Sequence, residues 1–480
     1  MLFNSLEFAV FFPLVCALYF TAPARTRVPL LLIASCVFYM AFIPVYIFIL
    51  GVTIGIDYVA GIMLERVQDG RKRRLVLLGS IIATCAVLFI FKYYNFFVGS
   101  FVGVATYFGW RPTNPSLNII LPIGLSFHTF QSLSYVVEVY RGKQRAEHNF
   151  VVYATYVMFF PQLVAGPIER PQNLLHQFYE RHEFEYARIV SGLKRMAWGF
   201  FKKLVIADRL AIYVNDVYGD PHGHGGLQLT IATVFFAYQI YCDFSGYSDI
   251  AIGSARILGF KLMENFDTPY ASRSVSEFWR RWHISLSTWF RDYVYYPMGG
   301  NRVSKPRWYT NLMITFGVSG LWHGANWTYV VWGLLNGMYL VIGAATGGAR
   351  TRLAHVLGLA DDGRVRIALQ IAVTFTLTCV AWVIFRAHSI SDAWYILNHM
   401  FTGWDFSQIR TEQFLMRQMP IALAAIVFLE VAQYLHRHRH PMDTIARWPR
   451  VARWPVYASL TVAVLLLGIY RQSAFIYFQF

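Results

Sequence analysis

The sequence predicts an all-α, polytopic membrane protein, and three observations carry that prediction. Hydrophobic residues make up 56% of the 480, and charged residues only 14%, where a soluble domain carries roughly 25% charge. Uncharged apolar runs recur along the chain, several as long as the about 20 residues that a bilayer-crossing helix needs. The basic residues collect in the short breaks between those runs. No strand-period alternation points to a barrel, so the helix is the spanning structure that remains.

Taken in order, Leu2–Thr21 is the first span. It lacks a basic leading segment, and its positive residues, Arg25 and Arg27, follow the apolar run, so it does not read as a cleavable signal peptide. Val28–Ile56 holds no Asp, Glu, Lys or Arg and reads as a hairpin of spans ending near Arg71. Leu75–Phe91 is equally clean and opens a second hairpin that closes at Arg141. Phe150–Ile168 follows, and then Glu169–Arg188, the longest polar stretch, which reads as a surface loop with an amphipathic helix. Thr310–Ala349 carries no formal charge and a single histidine; Ile367–Phe385, Met419–Leu429 and Val456–Tyr470 are further apolar runs. The expectation is about ten to twelve membrane segments, the short ones tilted, re-entrant or interfacial, in a single integral membrane domain over 1–480.

The charge sets an orientation. Lys and Arg number 42 against 26 Asp and Glu, a net +16. The basic breaks are Arg25/Arg27, Arg71–Arg74, Arg141–Arg145, Lys202/Lys203, Arg302–Arg307 and the stretch His436–Arg453. Basic residues spaced this way belong at the cytoplasmic face rather than on nucleic acid, and they leave the N-terminus outside. The five cysteines are scattered, with no CxxC or metal spacing, and read as packing residues.

Polar residues at membrane depth mark sites or pathways, and three clusters stand out. In Tyr238–Asp249, Asp243 and Asp249 are six residues apart and would not align on a regular helix. Ser245-Gly246 between them suggests a break, and Arg256 is placed to offset Asp249. A structural ion pair is the alternative reading. In Ser274–Ser287, Ser274 and Glu277 have capping-box spacing. Trp279, His283, Leu286 and Phe290 then share one helical face, with Arg280 and Arg281 turned toward lipid phosphates or an anionic ligand. In Gly317–Trp327, His323 stands between Gly320 and Gly324, which admit a ligand or another backbone, with Asn326 three residues on. A histidine beside an amide suits general-base chemistry; both histidines also read as satisfied core or interface residues. Neither has HExxH or HxH spacing, so no metal is expected, and GxSxG, P-loop and dinucleotide patterns are absent around the candidate residues.

Several long motifs resemble the membrane-bound O-acyltransferase family, in the branch that serves bacterial alginate O-acetylation. They are Trp279-Arg280-Arg281-Trp282-His283-Ile284-Ser285-Leu286-Ser287-Thr288-Trp289, Arg291-Asp292-Tyr293, Gly299-Gly300-Asn301-Arg302 and Gly320-Leu321-Trp322-His323-Gly324-Ala325-Asn326. Asp243–Asp249 and Phe160–Pro167 add to them. The resemblance covers about residues 1–345, an O-acyltransferase-like core, and leaves 346–480 as C-terminal membrane helices. His128, Glu138, Glu169 and Met298 depart from the family pattern.

The resemblance implies a ring of helices around a thin centre crossed by a tunnel, in a multi-pass protein of the bacterial inner membrane. It implies that His323 is catalytic and that His283 lines the same reaction site. Trp282, Asn326, Asp243, Ser245, Tyr247 and Asp249 are then expected at the substrate. The implied reaction moves an acetyl group from cytoplasmic acetyl-CoA toward an extracytoplasmic polysaccharide. A periplasmic acetyltransferase and the polysaccharide synthesis complex are the implied partners, and no cofactor is bound. D-alanyl or peptidoglycan acyl transfer, and a non-catalytic acyl or glycan transporter, stay open as alternatives.

Overall fold

The computed structural model describes the whole chain except residues 111, 114, 118–121, 361–362, 408–411, 436–439, 471–474 and 477–480. The basic stretch His436–Arg453 thus begins outside the described residues. All regular structure among the described residues is helical. Among the described residues, five helices are long and apolar enough to cross a membrane: Pro44–Arg66, Gly70–Tyr107, Trp327–Ala345, Arg364–Arg386 and Arg450–Leu467. Leu6–Thr21 and Met419–Leu435 are shorter apolar helices. Many side chains on these helices, such as Val52, Ile82 and Val373, face outward although apolar, as a lipid solvent allows.

The described residues form two compact units: Met1–Met196 with Tyr247–Met263, and Ala197–Gly246 with Glu264–Phe480. In the first, helices Ile47–Arg66, Gly70–Leu88 and Leu125–Tyr140 pack together. Their polar joint is the fully buried Asp57 carboxyl. It accepts from Ser80 Oγ at 2.5 Å, from Thr84 Oγ1 at 3.1 Å and from Ser132 Oγ. A buried carboxyl needs such donors. The helix after Gly70 passes through a π-helical turn at Phe89–Tyr93 on its way to Tyr107.

The polar stretch after Ile168 is more buried than its composition suggests. Short turns at Pro171–Leu174 and Leu175–Tyr179 bury Leu174, Leu175 and Phe178, in place of one amphipathic helix. Glu169 at its start is fully buried, and its Oε1 accepts the Met263 N–H at 2.5 Å. Burial raises its carboxyl from the ordinary range to about 7. The folded state thus holds this proton more tightly than the unfolded chain. Stability falls as pH rises from the ordinary glutamate value toward 7, and no further above it. Glu169→Gln keeps an acceptor for Met263 and removes the buried charge. It is expected to raise the stability of the detergent-solubilised protein by about 3 kcal/mol at pH 8 and by little at pH 4.5, measured by thermal unfolding at the two pH values.

In the second unit, helices Lys305–His323 and Trp327–Ala345 form the most intimate pair. A Cβ at Gly320 would lie 2.3 Å from the Tyr329 carbonyl oxygen, and one at Gly333 2.3 Å from that of Phe316. Both positions therefore need glycine for backbone-to-backbone approach. Helix Arg364–Arg386 packs against this hairpin. Helix Gly226–Leu258 contributes Gly226–Gly246 to this unit and the remainder to the first. It is continuous, so the break expected at Ser245-Gly246 is not there. Gly246 serves proximity instead: a Cβ would meet the Gly199 carbonyl oxygen at 2.8 Å.

Candidate active site

His323 is the last residue of helix Lys305–His323, which stops at the extended Gly324. Its side chain is 4% exposed. Trp332, Trp322 and Phe385 surround the ring with centroids at 4.8, 5.0 and 5.7 Å. Nδ1 lies 2.7 Å from the Ser319 carbonyl oxygen. A carbonyl only accepts, so Nδ1 carries the proton and Nε2 carries the lone pair. The backbone therefore selects the tautomer with the lone pair on Nε2.

His283 is held differently. Ser274 caps a helix over Val275–Arg281 by accepting the Glu277 N–H at 3.1 Å. That helix ends at Trp282, and a second, Ile284–Phe290, starts after His283. The common face expected for Trp279, His283, Leu286 and Phe290 is therefore interrupted. At the joint His283 has φ +43°, a left-handed conformation that costs a non-glycine residue about 1–3 kcal/mol and persists only where its surroundings enforce it. Asn265 enforces it. Its backbone oxygen accepts the Ile284 N–H at 2.9 Å. Its Oδ1 takes the Ser285 N–H at 3.2 Å, the Ser285 hydroxyl at 2.8 Å and His283 Nδ1 at 3.1 Å. The Ser285 amide can only donate, which fixes Oδ1 as the acceptor and leaves His283 Nδ1 protonated.

Phe244 meets the His283 ring edge-on at 4.5 Å. His283 is 1% exposed and lies outside the candidate spans. Burial pushes its imidazole well below the usual value, and nearby His323 adds to that shift. The two rings thus share one electrostatic environment, and His283 stays neutral at physiological pH with its lone pair on Nε2.

A cavity of about 1220 Å³ runs beside this pair, and neither histidine is in its wall. Trp308, Leu312, Thr315, Phe316 and Ser319 line it along one helix, a rise of about 16 Å. One of these, Ser319, is the residue whose carbonyl holds His323. One wall residue of the cavity is thus a single hydrogen bond from His323. Its walls are mainly apolar, and the guanidinium-bearing residues Arg273, Arg280, Arg291, Arg350 and Arg366 also line it. Arg281, paired to Glu277 at 2.7 Å, does not.

The other residues singled out in the sequence take varied places. Trp282 is 1% exposed and packs on Phe278, Phe266 and Trp382; Trp382 in turn stacks on Trp332 beside His323. Asn326 is exposed and caps the next helix, accepting the Thr328 N–H at 3.1 Å. Because the helix stops at His323, the two do not share a helical face. Asp243 pairs with Lys203 at 2.5 Å, and Lys203 also with Asp208 at 2.9 Å. Lys202 donates to Ser245 Oγ at 2.9 Å.

Tyr247 and Asp249 belong to the first unit. Tyr247 packs on Phe3 at 4.4 Å. Asp249 pairs with Arg195 at 2.9 Å rather than with Arg256, which donates to Ser191. The glycines around His323 admit protein, since a Cβ at Gly324 would strike the Tyr329 ring at 2.1 Å. Asn265 and Arg195 escaped the sequence reading, and Lys203, read there only as part of a basic break at the cytoplasmic face, is buried in ion pairs. Each lies 18 to 54 residues from its partner, beyond any local spacing rule.

The model of the membrane-bound O-acyltransferase family matches residues 62–385. The probable alginate O-acetylase of Pseudomonas aeruginosa is 39% identical over 453 residues, covering 93% of this chain and 84% of that protein. A peptidoglycan O-acetyltransferase of Helicobacter pylori is 33% identical, covering 83% and 80%. A teichoic acid D-alanyltransferase of Streptococcus thermophilus is 29% identical, covering 59% and 73%.

Proposed function

The chain belongs to the membrane-bound O-acyltransferase family, and from that premise we propose that it transfers acetyl from cytoplasmic acetyl-CoA toward an extracytoplasmic polysaccharide such as alginate, with His323 as general base. The protein is a membrane-bound O-acyltransferase. The observation that carries the finer reading is the arginine-lined cavity with Ser319 in its wall, whose carbonyl fixes the tautomer of His323.

A nucleotide thioester suits that cavity. Guanidinium groups bind phosphates in a fork geometry. The apolar wall from Trp308 to Ser319 offers the donor's extended thioester arm an apolar path about 16 Å long. The reading requires the thioester carbon to come within reach of His323 Nε2, the ring nitrogen not engaged by Ser319. As the acceptor oxygen attacks that carbon, its proton passes to Nε2, the C–O bond forms, the C–S bond breaks, and the proton leaves with the thiolate sulfur. Neutral His283, with Nδ1–H committed to Asn265, offers a lone pair and orients the acceptor hydroxyl rather than donating to an oxyanion. The reading includes a bacterial inner-membrane setting, with a periplasmic acetyltransferase and the polysaccharide synthesis complex as partners, and likeness to probable alginate O-acetylases supports an alginate-machinery context.

Reconstituted protein supplied with radiolabelled acetyl-CoA tests the reading. The expected result is His323-dependent thioester cleavage with label in the acceptor; flux of label with the thioester intact would instead make the protein a transporter. Arg350→Ala with Arg366→Ala is expected to raise KM for acetyl-CoA about tenfold or more, two charge-assisted hydrogen bonds being lost. KM for acetyl-pantetheine, which lacks the nucleotide phosphates, should stay unchanged.

A further inference from the structure

The chain beyond helix Arg450–Leu467 bears on His283. That helix buries only Leu460, yet Phe475 and Ile476 are 1% and 2% exposed. Two main-chain groups tie the helix end to a π-helical turn at Phe201–Ala207 and its flank, and a third ties Ile476 to helix Gly226–Leu258. Arg209 donates to the Leu467 carbonyl oxygen, the Ile469 N–H to that of Leu204 at 3.0 Å, and the Ile476 N–H to Asp243 Oδ2 at 2.7 Å. The other oxygen of Asp243 is on Lys203. The Phe475 ring packs on Phe244 at 5.5 Å and 64°, and Phe244 is the ring that meets His283 edge-on.

We propose that Phe475 is a positioning residue for His283, acting through Phe244, and that Asp243 holds it in place by accepting the Ile476 N–H. The inference rests on the acyltransferase reading. His283 is pinned at Nδ1 by Asn265, a bond that leaves its plane able to swing. The edge-to-face contact with Phe244 sets that plane together with the Phe266 ring stacked at 6.5 Å, because aromatic pairs have a preferred geometry. Phe244 is itself backed by Phe475 and, one residue earlier in the chain, by the fixed Asp243. A buried carboxylate with one cation and one amide is a specific latch, since removing either partner leaves a charge poorly compensated. Asp243 thereby gains a role that requires no contact with substrate. Phe475 lies outside the stretch 62–385 that the family model matches.

The test uses the full-length protein in lipid nanodiscs with ¹⁵N-labelled histidine, the His283 imidazole signals being assigned by their loss in His283→Gln. Phe475→Ala is expected to shift those signals. It should also lower kcat by about ten- to a hundredfold, the scale of a small misplacement, with KM for acetyl-CoA unchanged. Phe475→Tyr should restore both. Should the alanine variant not fold, Phe475→Leu, which fills the space without a ring, is read in its place. His283 signals that coincide with wild type, or shifted signals with an unchanged kcat, would overturn the proposal. If the wild-type protein turns over no acetyl-CoA, the acyltransfer reading fails on its own, and the His283 signals still decide whether Phe475 sets that ring.

Discussion

Replacing His323 with alanine is expected to lower kcat for acetyl transfer by about 10²–10⁴-fold, the usual contribution of a general base. KM for acetyl-CoA should change little, because His323 is not in the cavity wall. The ring also packs on Trp322, Trp332 and Phe385, so the alanine variant loses some stability as well. His323→Gln separates the two effects. It fills most of the space and bonds the Ser319 carbonyl through its amide, yet its uncharged amide takes up no proton. Its expected signature is wild-type thermal stability with the kcat of the alanine variant. Purified protein assayed with labelled donor and a polysaccharide acceptor gives both numbers.

The second large effect belongs to His283. His283→Ala is expected to lower kcat by about a hundredfold, through loss of the acceptor that orients the incoming hydroxyl. Asn265→Ala should produce a smaller loss of the same kind, about tenfold, the value of one buried hydrogen bond. It frees Nδ1 and removes the hook that holds His283 at φ +43°. Asn265→Asp keeps an acceptor at that position and should be nearer to wild type. Relaxation of the backbone would show as a greater effect of Asn265→Ala on thermal stability than His283→Ala produces. Side-by-side kcat and melting temperatures of the three variants check the order.

The helical class and the prominence of His323 were legible because they rest on local signals. An uncharged run of forty residues from Thr310 to Ala349 with a single histidine shows that residue whatever the tertiary structure. The capping pair Ser274 and Glu277 was likewise readable, since both atoms lie within one turn. What could not be read depends on partners distant in sequence. Asp243 and Asp249 looked like two parts of one broken segment. They lie on an unbroken helix, and each is neutralised by a cation more than 39 residues upstream, Lys203 and Arg195 respectively. No periodicity rule reports such pairs.

The joint at His283 was hidden for another reason. Its sequence, Arg281-Trp282-His283-Ile284, contains no glycine or proline, the usual breakers. A tertiary hydrogen-bond set from Asn265 overrides the local helical preference. Asn326 shows the opposite case: a spacing that looks functional on a continuous helix becomes a cap once the helix stops at His323. Glycines 320 and 324 left two readings open, ligand or backbone, and only the packing of Tyr329 against them decides for the protein itself.

The central claim is that His323 moves the proton that lets an acetyl group pass from thioester to hydroxyl. Single-turnover transfer of radiolabel from saturating acetyl-CoA, followed for wild type and His323→Gln in the same vesicles, tests it most directly. The account predicts label in the acceptor within one wild-type turnover and none above background for the variant over the same interval, with equal donor binding. Equal transfer rates for the two proteins would contradict it.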